Sequence, residues 1–583
     1  MEEIKMKKAL FQRAVCLVLT VATLMTGLGF TVNAGSLKDP NGDKGIYTTL
    51  EEMQALVSTS AYADYIEDYA YLKTAQSGLS PIVVDVLATM QAGSSGVKVT
   101  DSDKCQGVVS SPSYIAGGAL TNNAVYLPAV GATSWEFTVT AAQEGLYYFK
   151  WDYFTCETSE SSISSIERGL KINGKVPFDE ARALNFSKIW GYNNVVVSDP
   201  VATDEDDYSK VEYKHVKGEG GSYKKIVTTV KGGYKTVATY TLSQDINGNS
   251  MAPEAAQTPQ WNEYYCQDSS GYEQEWFLFY VSEGDYRITL EAEREPMIIG
   301  GLTLIPYSSE EKEILSYEDY LAAHPGATAP QGGSINDIVK IEAEFPDAIS
   351  DASVAPSNDN TSAVTFPIAS GAQLYNVIGE TSYSSVGQWA AYKFTVNKTG
   401  LYKLGMRYLQ KALEGMFISR SVKLAGGEYG NAPVTPYEEA ASAKFNYSKD
   451  WQSTYVCDDS GNALQFYFKE GVEYTVYFEC SLGSLKSYIQ RVEDTLANLN
   501  ECYLRILQLT GPDPDKYRDY KFYQVMPDVL VTLLDEARNL MAIKAELENF
   551  CGTAGSHTAT LETVAVILYK MGLDKGEKVA ANM

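Results

Sequence analysis

Histidine is scarce in this chain. Only His215, His324 and His557 occur, far apart and outside any H-E-x-x-H spacing, so a zinc-hydrolase centre is not expected. Cysteine is also sparse. Of eight, Cys16 lies in the first apolar run. The others are Cys105, Cys156, Cys266, Cys457, Cys480, Cys502 and Cys551, an odd number without a C-x-x-C pair. A disulfide-dense scaffold is therefore not expected, and mostly free, half-buried thiols are. Positive charge is in deficit: 47 Lys and Arg stand against 74 Asp and Glu, a net charge of −27. Nucleic acids and anionic membranes need clustered basic side chains, so neither is an expected partner. No G-x-S-x-G, Walker A or G-x-G-x-x-G motif sits in a strand-to-helix context. Paired carboxylates cannot mark a glycosidase in so acidic a chain, and the protein is read as non-catalytic.

The N-terminus does carry a signal. Lys5, Lys7, Lys8 and Arg13 precede an uncharged apolar stretch, residues 14–32, and Val32-Asn33-Ala34 offers small residues at a cleavage site. This is the pattern of a secretory signal peptide over residues 1–34. The rival is a single anchor, but Thr20, Thr23, Thr26, Gly27 and Gly29 dilute the run, and it is only marginally long enough to span. No later run is apolar for long enough, so no membrane span is expected after cleavage. The expected location is secreted, extracellular or cell-surface.

The chain repeats itself. Gly145-Leu146-Tyr147 with Tyr153 matches Gly400-Leu401-Tyr402 with Tyr408, and S-I-E-R-G-L-K-I-N-G at 165–174 matches F-I-S-R-S-V-K-L-A-G at 417–426. Arg168 and Arg420 hold the same place in these segments. Pro177-Phe178-Asp179-Glu180-Ala181 matches Pro436-Tyr437-Glu438-Glu439-Ala440, and both lead to Ser-Lys-x-Trp, ending at Trp190 and Trp451. Trp261 with Tyr265, Asp268, Ser270 and Gly271 also matches Trp451 with Tyr455, Asp458, Ser460 and Gly461. One tryptophan matching two implies an insertion in the first copy, about residues 198–257. It opens with Asp204-Glu205-Asp206-Asp207 and offers alternating strands at 223–230 and 234–242 around Lys231-Gly232-Gly233, a hairpin signature. Each copy closes on an alternating strand, 286–291 and 474–479.

Short alternating strands between Gly, Asn, Asp and Ser turns, with 42 tyrosines to cover half-buried sheet, predict a mainly β protein: two antiparallel jelly-roll sandwiches with helical connectors. The layout is a helical segment at 35–94, sandwich one at 95–310, a short helix and Pro/Gly linker at 311–335, sandwich two at 336–511 and a helical segment at 512–583. Helices are expected from Thr49, continuing over 61–71, and at 316–321, all outside the copies. Residues 484–500 read as a helical insertion at about 483–500, and 503–509 as the last strand of copy two, the counterpart of 299–305. Helices at 528–549, closed near Gly552, and 558–571 follow.

Residues 165–190 and 261–304, with D-S-S-G, L-F-Y and L-E-A-E-R-E-P-M-I-I in the second, resemble the N-terminal region of large extracellular solute-binding proteins of Gram-positive bacteria, which serve sugar-type ABC transporters. Residues 504–571, with T-G-P-D-P-D-K-Y-R-D-Y from Thr510, are similar to the same family. The resemblance implies paired galactose-binding-like sandwiches, a carbohydrate or polysaccharide ligand, and ABC transporter components as partners. Two departures stand against it: the two-lobed solute-binding domain does not follow, and the lipoprotein cysteine is missing.

Sugars stack their C–H faces on flat aromatic rings and offer hydroxyls to planar polar groups. The candidates are Trp151, Trp190, Trp261 and Trp451, with Arg168, Arg420, Asp179 and Asn185 nearby. Repeated tryptophans equally suit a core, the preferred reading for Trp261 and Trp451. Ile341-Glu342-Ala343-Glu344 resembles the opening strand of carbohydrate-binding modules whose glutamate ligates structural calcium. Glu342 and Glu344 are thus the metal candidates, with an exposed edge strand as the alternative. Asp513-Pro514-Asp515 and the following Arg518 read as a structural turn. The expectation is a secreted, non-catalytic carbohydrate-binding protein of a sugar-capture system. The alternatives are an adhesive surface protein and the accessory region of a glycoside hydrolase.

Overall fold

In this computed structural model residues 59–582 are described, apart from 76–78, 87–88, 90–93, 95–97, 102–114, 117–118, 121–122, 129–133, 142–143, 156–162, 193–195, 204–221, 232–233, 244, 274, 308–313, 331–337, 366–367, 369–370 and 516. The signal peptide, the helix expected from Thr49, Cys105, Cys156, His215 and the acidic run at 204–207 lie outside the described residues.

Period-two alternation builds the first module. Its strands are β1 (Ile82–Val84), β2 (Lys98–Asp101), β3 (Asn123–Leu127), β4 (Ser134–Ala141), β5 (Gly145–Phe154), β6 (Ile166–Ile172), β7 (Leu184–Phe186), β8 (Trp190–Tyr192), β9 (Val196–Thr203), β10 (Ser222–Lys231), β11 (Tyr234–Ser243), β12 (Ala255–Gln257), β13 (Trp261–Tyr265), β14 (Leu278–Val281), β15 (Gly284–Arg294) and β16 (Met297–Pro306). One sheet runs β13-β5-β16-β3-β2, with β14 also on β5 and β1 on β16. The facing sheet runs β4-β15-β6-β7. Trp135, Phe137 and Val139 from β4 meet Tyr147, Phe149, Trp151 and Tyr153 from β5 in one buried core. All strand pairing is antiparallel, the sandwich that alternation predicts. Within the insertion, β9-β11-β10 form a separate sheet whose β10 and β11 pair as a hairpin from Lys231↔Tyr234 to Ser222↔Ser243.

The second module holds β17 (Ala348–Ile349), β18 (Trp389–Thr395), β19 (Gly400–Lys403), β20 (Gly405–Tyr408), β21 (Phe417–Ala425), β22 (Ala443–Asn446), β23 (Gln452–Tyr455), β24 (Gln465–Phe468) and β25 (Glu473–Ser481). Its large sheet runs β12-β8-β17-β18-β25-β21-β22, while β19 pairs with β24 and β20 with β23. Two strands of this sheet come from the first copy, β8 ahead of its insertion and β12 at the insertion's end. Trp190 pairs with Gln257 and Ile349, and its ring lies in the second core with Ile349, Tyr392 and Val422.

The repeat extends further than the sequence reading placed it. The helices α1 (Tyr62–Asp68), α2 (Ala70–Ala75) and α3 (Tyr317–Ala323) precede the modules. Glu180 accepts the Tyr62 backbone N–H at 2.9 Å, and its repeat counterpart Glu439 accepts that of Tyr317 at 2.8 Å. The Tyr62 and Tyr65 hydroxyls accept the N–H groups of Leu278 and Tyr280, and the Tyr320 hydroxyl accepts that of Tyr467. Strands β14 and β24 each pair on one side only among the described residues, and the hydroxyls satisfy donors on the other. Helices α1 and α3 are thus each tied by hydrogen bonds to the copy that follows.

Two further expectations are corrected. Residues 503–509 are not a strand: α4 (Lys486–Thr510) runs through them unbroken. Its packed positions Tyr488, Val492, Thr495, Leu499, Cys502 and Ile506 recur every three or four residues, a helical and not a strand period. Residues 341–344 form an irregular segment entering a turn, not a strand.

Helices α5 (Pro527–Cys551) and α6 (Ser556–Gly572) pack with α4 around Val529, Leu533, Leu540, Ile543 and Leu568. Gly552 closes α5 at φ 71°, a left-handed cap that glycine adopts without strain. Buried Glu536 accepts from Thr495 and Asn498, both at 2.7 Å, tying α5 to α4. The described cysteines, Cys266, Cys457, Cys480, Cys502 and Cys551, are free thiols.

Candidate functional site

Strand parity decides which side chains can meet a ligand, and it removes most of the residues expected from the sequence. Trp151 occupies an inward position of β5, is 0% exposed and donates its indole N–H to Cys266 Sγ at 3.3 Å; burial pushes the Cys266 thiol up to about 12. Trp190 is buried in the second core. Arg168 is fully buried and donates to the Glu295 carbonyl at 2.6 Å and to Met297 Sδ at 3.1 Å. Glu295 sits at φ 66°, and its carboxylate meets buried Lys188 at 2.8 Å. Arg168 therefore braces the β15–β16 turn. Arg420 donates to the Ser419 and Tyr383 carbonyls at 2.9 and 3.1 Å and lies over the Tyr383 ring.

Trp451 is half-buried, and its indole N–H goes to Asp359, which also accepts from the Thr361 N–H and hydroxyl. Asp179 pairs with Arg182 at 3.1 Å. The Asn185 side-chain oxygen is buried without a hydrogen-bond partner. Glu342 pairs with Lys340 at 2.9 Å and Glu344 is buried. Among the described residues no group of three His, Cys, Asp or Glu side chains is placed to hold a metal ion. The expected residues are thus dispersed through two cores and several turns. Asp268 and Asp458, equivalent in the repeat, each gather backbone N–H groups of their own turns, a structural role.

The opposite parity of β5 carries a different set, in which Tyr148 and Lys150 are half-buried while Leu146, Asp152 and Phe154 are buried. Leu146, Tyr148, Lys150, Asp152 and Phe154 point away from the core. Register places Lys150 opposite Tyr265 and Thr303, and Asp152 opposite Glu263, so these side chains share the outer face. Trp276, bridged to Gln267 beside β14, joins them and is 38% exposed. Its ring stacks on Tyr265 at 3.8 Å and 9°, with Tyr148 edge-on at 5.9 Å. Lys150 Nζ lies 2.6 Å from Glu263 and 3.7 Å from Asp152. Burial works against the Lys150 charge, but the Glu263 hydrogen bond and both carboxylates outweigh it and hold its pKa above the ordinary lysine value. Leu72 from α2 covers the Leu146 end of this face. Toward the other end, Trp261 lies so close to Gly300 that a Cβ there would come within 2.7 Å of the ring. Between them an aromatic patch stands beside a Lys–carboxylate cluster.

The second copy lacks this patch. The bridges Gln267↔Trp276 and Cys457↔Ala463 are equivalent, so Ala463 stands where Trp276 does. By the same register Lys403, Gly405 and Arg407 replace Tyr148, Lys150 and Asp152. Trp276 is not among the tryptophans the sequence reading weighs, which are Trp151, Trp190, Trp261 and Trp451. The polar stretch before it and the apolar strand after it were the available signal.

The bundle of α4, α5 and α6 carries a separate likeness. Residues 487–573 match the bacterial solute-binding protein, 4-helix bundle domain. No curated protein matches the chain. Among solved structures, a family 35 carbohydrate-binding module from Clostridium thermocellum is covered in full by 39% of this chain, at 10% identity and TM-score 0.17. A GH26-CBM35 β-(1,4)-mannanase from Podospora anserina is covered over 32% of its length by 41% of this chain, at 9% identity and TM-score 0.16. The ANX2 ectodomain from Arabidopsis thaliana is covered over 89% of its length by 69% of this chain, at 8% identity and TM-score 0.18. Likenesses this remote carry no inference about ligands. Among the described residues, no helix is long and apolar enough to cross a membrane.

Proposed function

We propose that this is an exported, non-catalytic carbohydrate-binding protein that works in extracellular sugar capture alongside ABC transporter components. The observation that carries the reading is the outer-face patch of module one. Tyr265 covers one face of the Trp276 ring, leaving the other to receive the C–H face of a sugar. Glu263 and Lys150 stand at its border to take hydroxyls, ordered by their own ion pair and by the buried Asp152 carboxylate 3.7 Å from Lys150. An open face of this kind suits the interior of a polysaccharide chain, which has no free end to insert. The 4-helix bundle match at 487–573 supports the solute-binding context.

One stacked sugar ring is worth about 1.5–3 kcal/mol, roughly 10- to 150-fold in affinity. The test is a glycan array on the secreted chain and on Trp276→Ala. Saturable binding to one polysaccharide class, weakened at least tenfold by the substitution, is expected. Binding indifferent to Trp276 would remove the patch as the site, and no binding to any glycan would overturn the carbohydrate reading.

A further inference from the structure

We propose that module two carries a second site of different chemistry: a pocket for a small anionic sugar, bearing a carboxylate or a phosphate. An open cavity of about 790 Å³ lies between the turn at 323–330, which follows α3, and the start of β19. Its size falls within the range of small-molecule pockets, about 300–1,000 Å³. Six side chains define it: His324, Lys398, Thr399, Glu428, Tyr467 and Lys469.

Their charges point to an anion. His324 Nδ1 lies 2.8 Å from the Tyr320 carbonyl and Nε2 lies 2.8 Å from the Glu428 carboxylate. These two contacts fix the ring between α3 and the loop that carries Glu428. The other Glu428 oxygen faces Lys469 Nζ at 3.3 Å. Two lysines, Lys398 and Lys469, thus line the cavity against one carboxylate, a basic excess within a chain of net charge −27. The Tyr467 ring, 4.5 Å from His324 and 5.9 Å from Lys469 Nζ, supplies an apolar wall for a sugar ring. The Thr399 hydroxyl accepts the Glu470 N–H at 3.0 Å, leaving its own proton to donate.

The two copies show that the pocket is an elaboration of the second. Tyr69 holds the place of His324, each four residues beyond the second helix tyrosine, and stacks on Tyr280 as His324 packs on Tyr467. Ser282 holds the place of Lys469. The turn after β6 closes at Ile172↔Lys175, whereas its counterpart closes at Leu424↔Val434. The longer loop carries Glu428 to the pocket and Tyr429 to the Tyr320 hydroxyl, at 2.6 Å. Copy one kept an open aromatic face, and copy two acquired a charged recess.

The test is isothermal titration of the whole chain with D-glucuronate, glucose 6-phosphate and glucose. At least one anionic sugar is expected to bind tenfold or more tightly than glucose, and to weaken as salt is raised. The glucuronate and phosphate arms identify which anionic group is read. Lys398→Glu with Lys469→Glu is expected to abolish the preference, while Trp276→Ala on the other module leaves it intact. Lys469 is 49% exposed at its side chain, so its reversal is compatible with folding, and the salt series on the unaltered chain tests the charge without any variant. Equal binding of glucose and both anions, no binding of either anion, or a preference that survives both charge reversals would overturn the proposal. None of these outcomes bears on the Trp276 patch, whose glycan-array test is separate.

Discussion

Trp190 belongs by sequence to the first copy but packs in the core of the second, and replacing it should damage the second. In Trp190→Ala, a ring only 7% exposed is lost from between Ile349, Tyr392 and Val422 while the β8 backbone ladder stays. Truncating a buried tryptophan costs about 3–5 kcal/mol. If the cost falls on local opening, amide exchange in the affected strands should accelerate by roughly 10²- to 10⁴-fold. Hydrogen exchange followed by peptide mass spectrometry can resolve this. Acceleration is expected in β8, β12, β17 and β18, with β5 and β16 of module one little changed. Equal acceleration in β5 and β16, or none in β18, would refute the assignment of Trp190 to the second core.

Three other outcomes follow from single contacts. Tyr65→Phe and Tyr320→Phe each strip the hydroxyl from a strand-edge N–H, at about 1–3 kcal/mol apiece in denaturant unfolding, and the two losses should add because they lie in different modules. Gly300→Ala drives a Cβ into the Trp261 ring and should cost about 1–3 kcal/mol in the same assay, as overpacking does. Burial raises the Glu536 pKa, but hydrogen bonds from Thr495, Asn498 and Asn539 together bring it below the ordinary glutamate value. Its stabilisation is therefore complete above the unfolded pKa of ~4.3 and fades as pH falls through the lower folded value. The Tm deficit of Glu536→Gln should shrink as pH drops from about 6 to about 3 across that window; a deficit that grows toward acid would contradict the network.

The sequence carried the fold well wherever one element followed its own period. The alternation of β5, β15 and β25 and the hairpin of β10 and β11 could be read directly, as could the Gly552 closure of α5. The run at 503–509 misled because it reads as the counterpart of the closing strand at 299–305 of the first copy. The helical period shows only when 488 and 506 are read together. The site was less legible. Trp151 and Lys150 are neighbours in sequence, and which of them faces solvent depends on where the second sheet lies. A fully buried arginine such as Arg168 reads in sequence like any surface cation. Repetition itself misdirected the search, because what two copies share is mostly what each needs to fold. The exposed patch and the charged pocket lie at Trp276 and His324, where the copies differ.

A duplicated module that closes on itself can be copied, lost or exchanged between genes as a cassette. This pair cannot. The first copy holds, ahead of its insertion and at the insertion's end, the strands β8 and β12 that complete the large sheet of the second. Recombination between the copies would leave one of them with a raw sheet edge and a core missing its tryptophan. The two halves are committed to being inherited together, which leaves each free to diverge in what it presents to solvent.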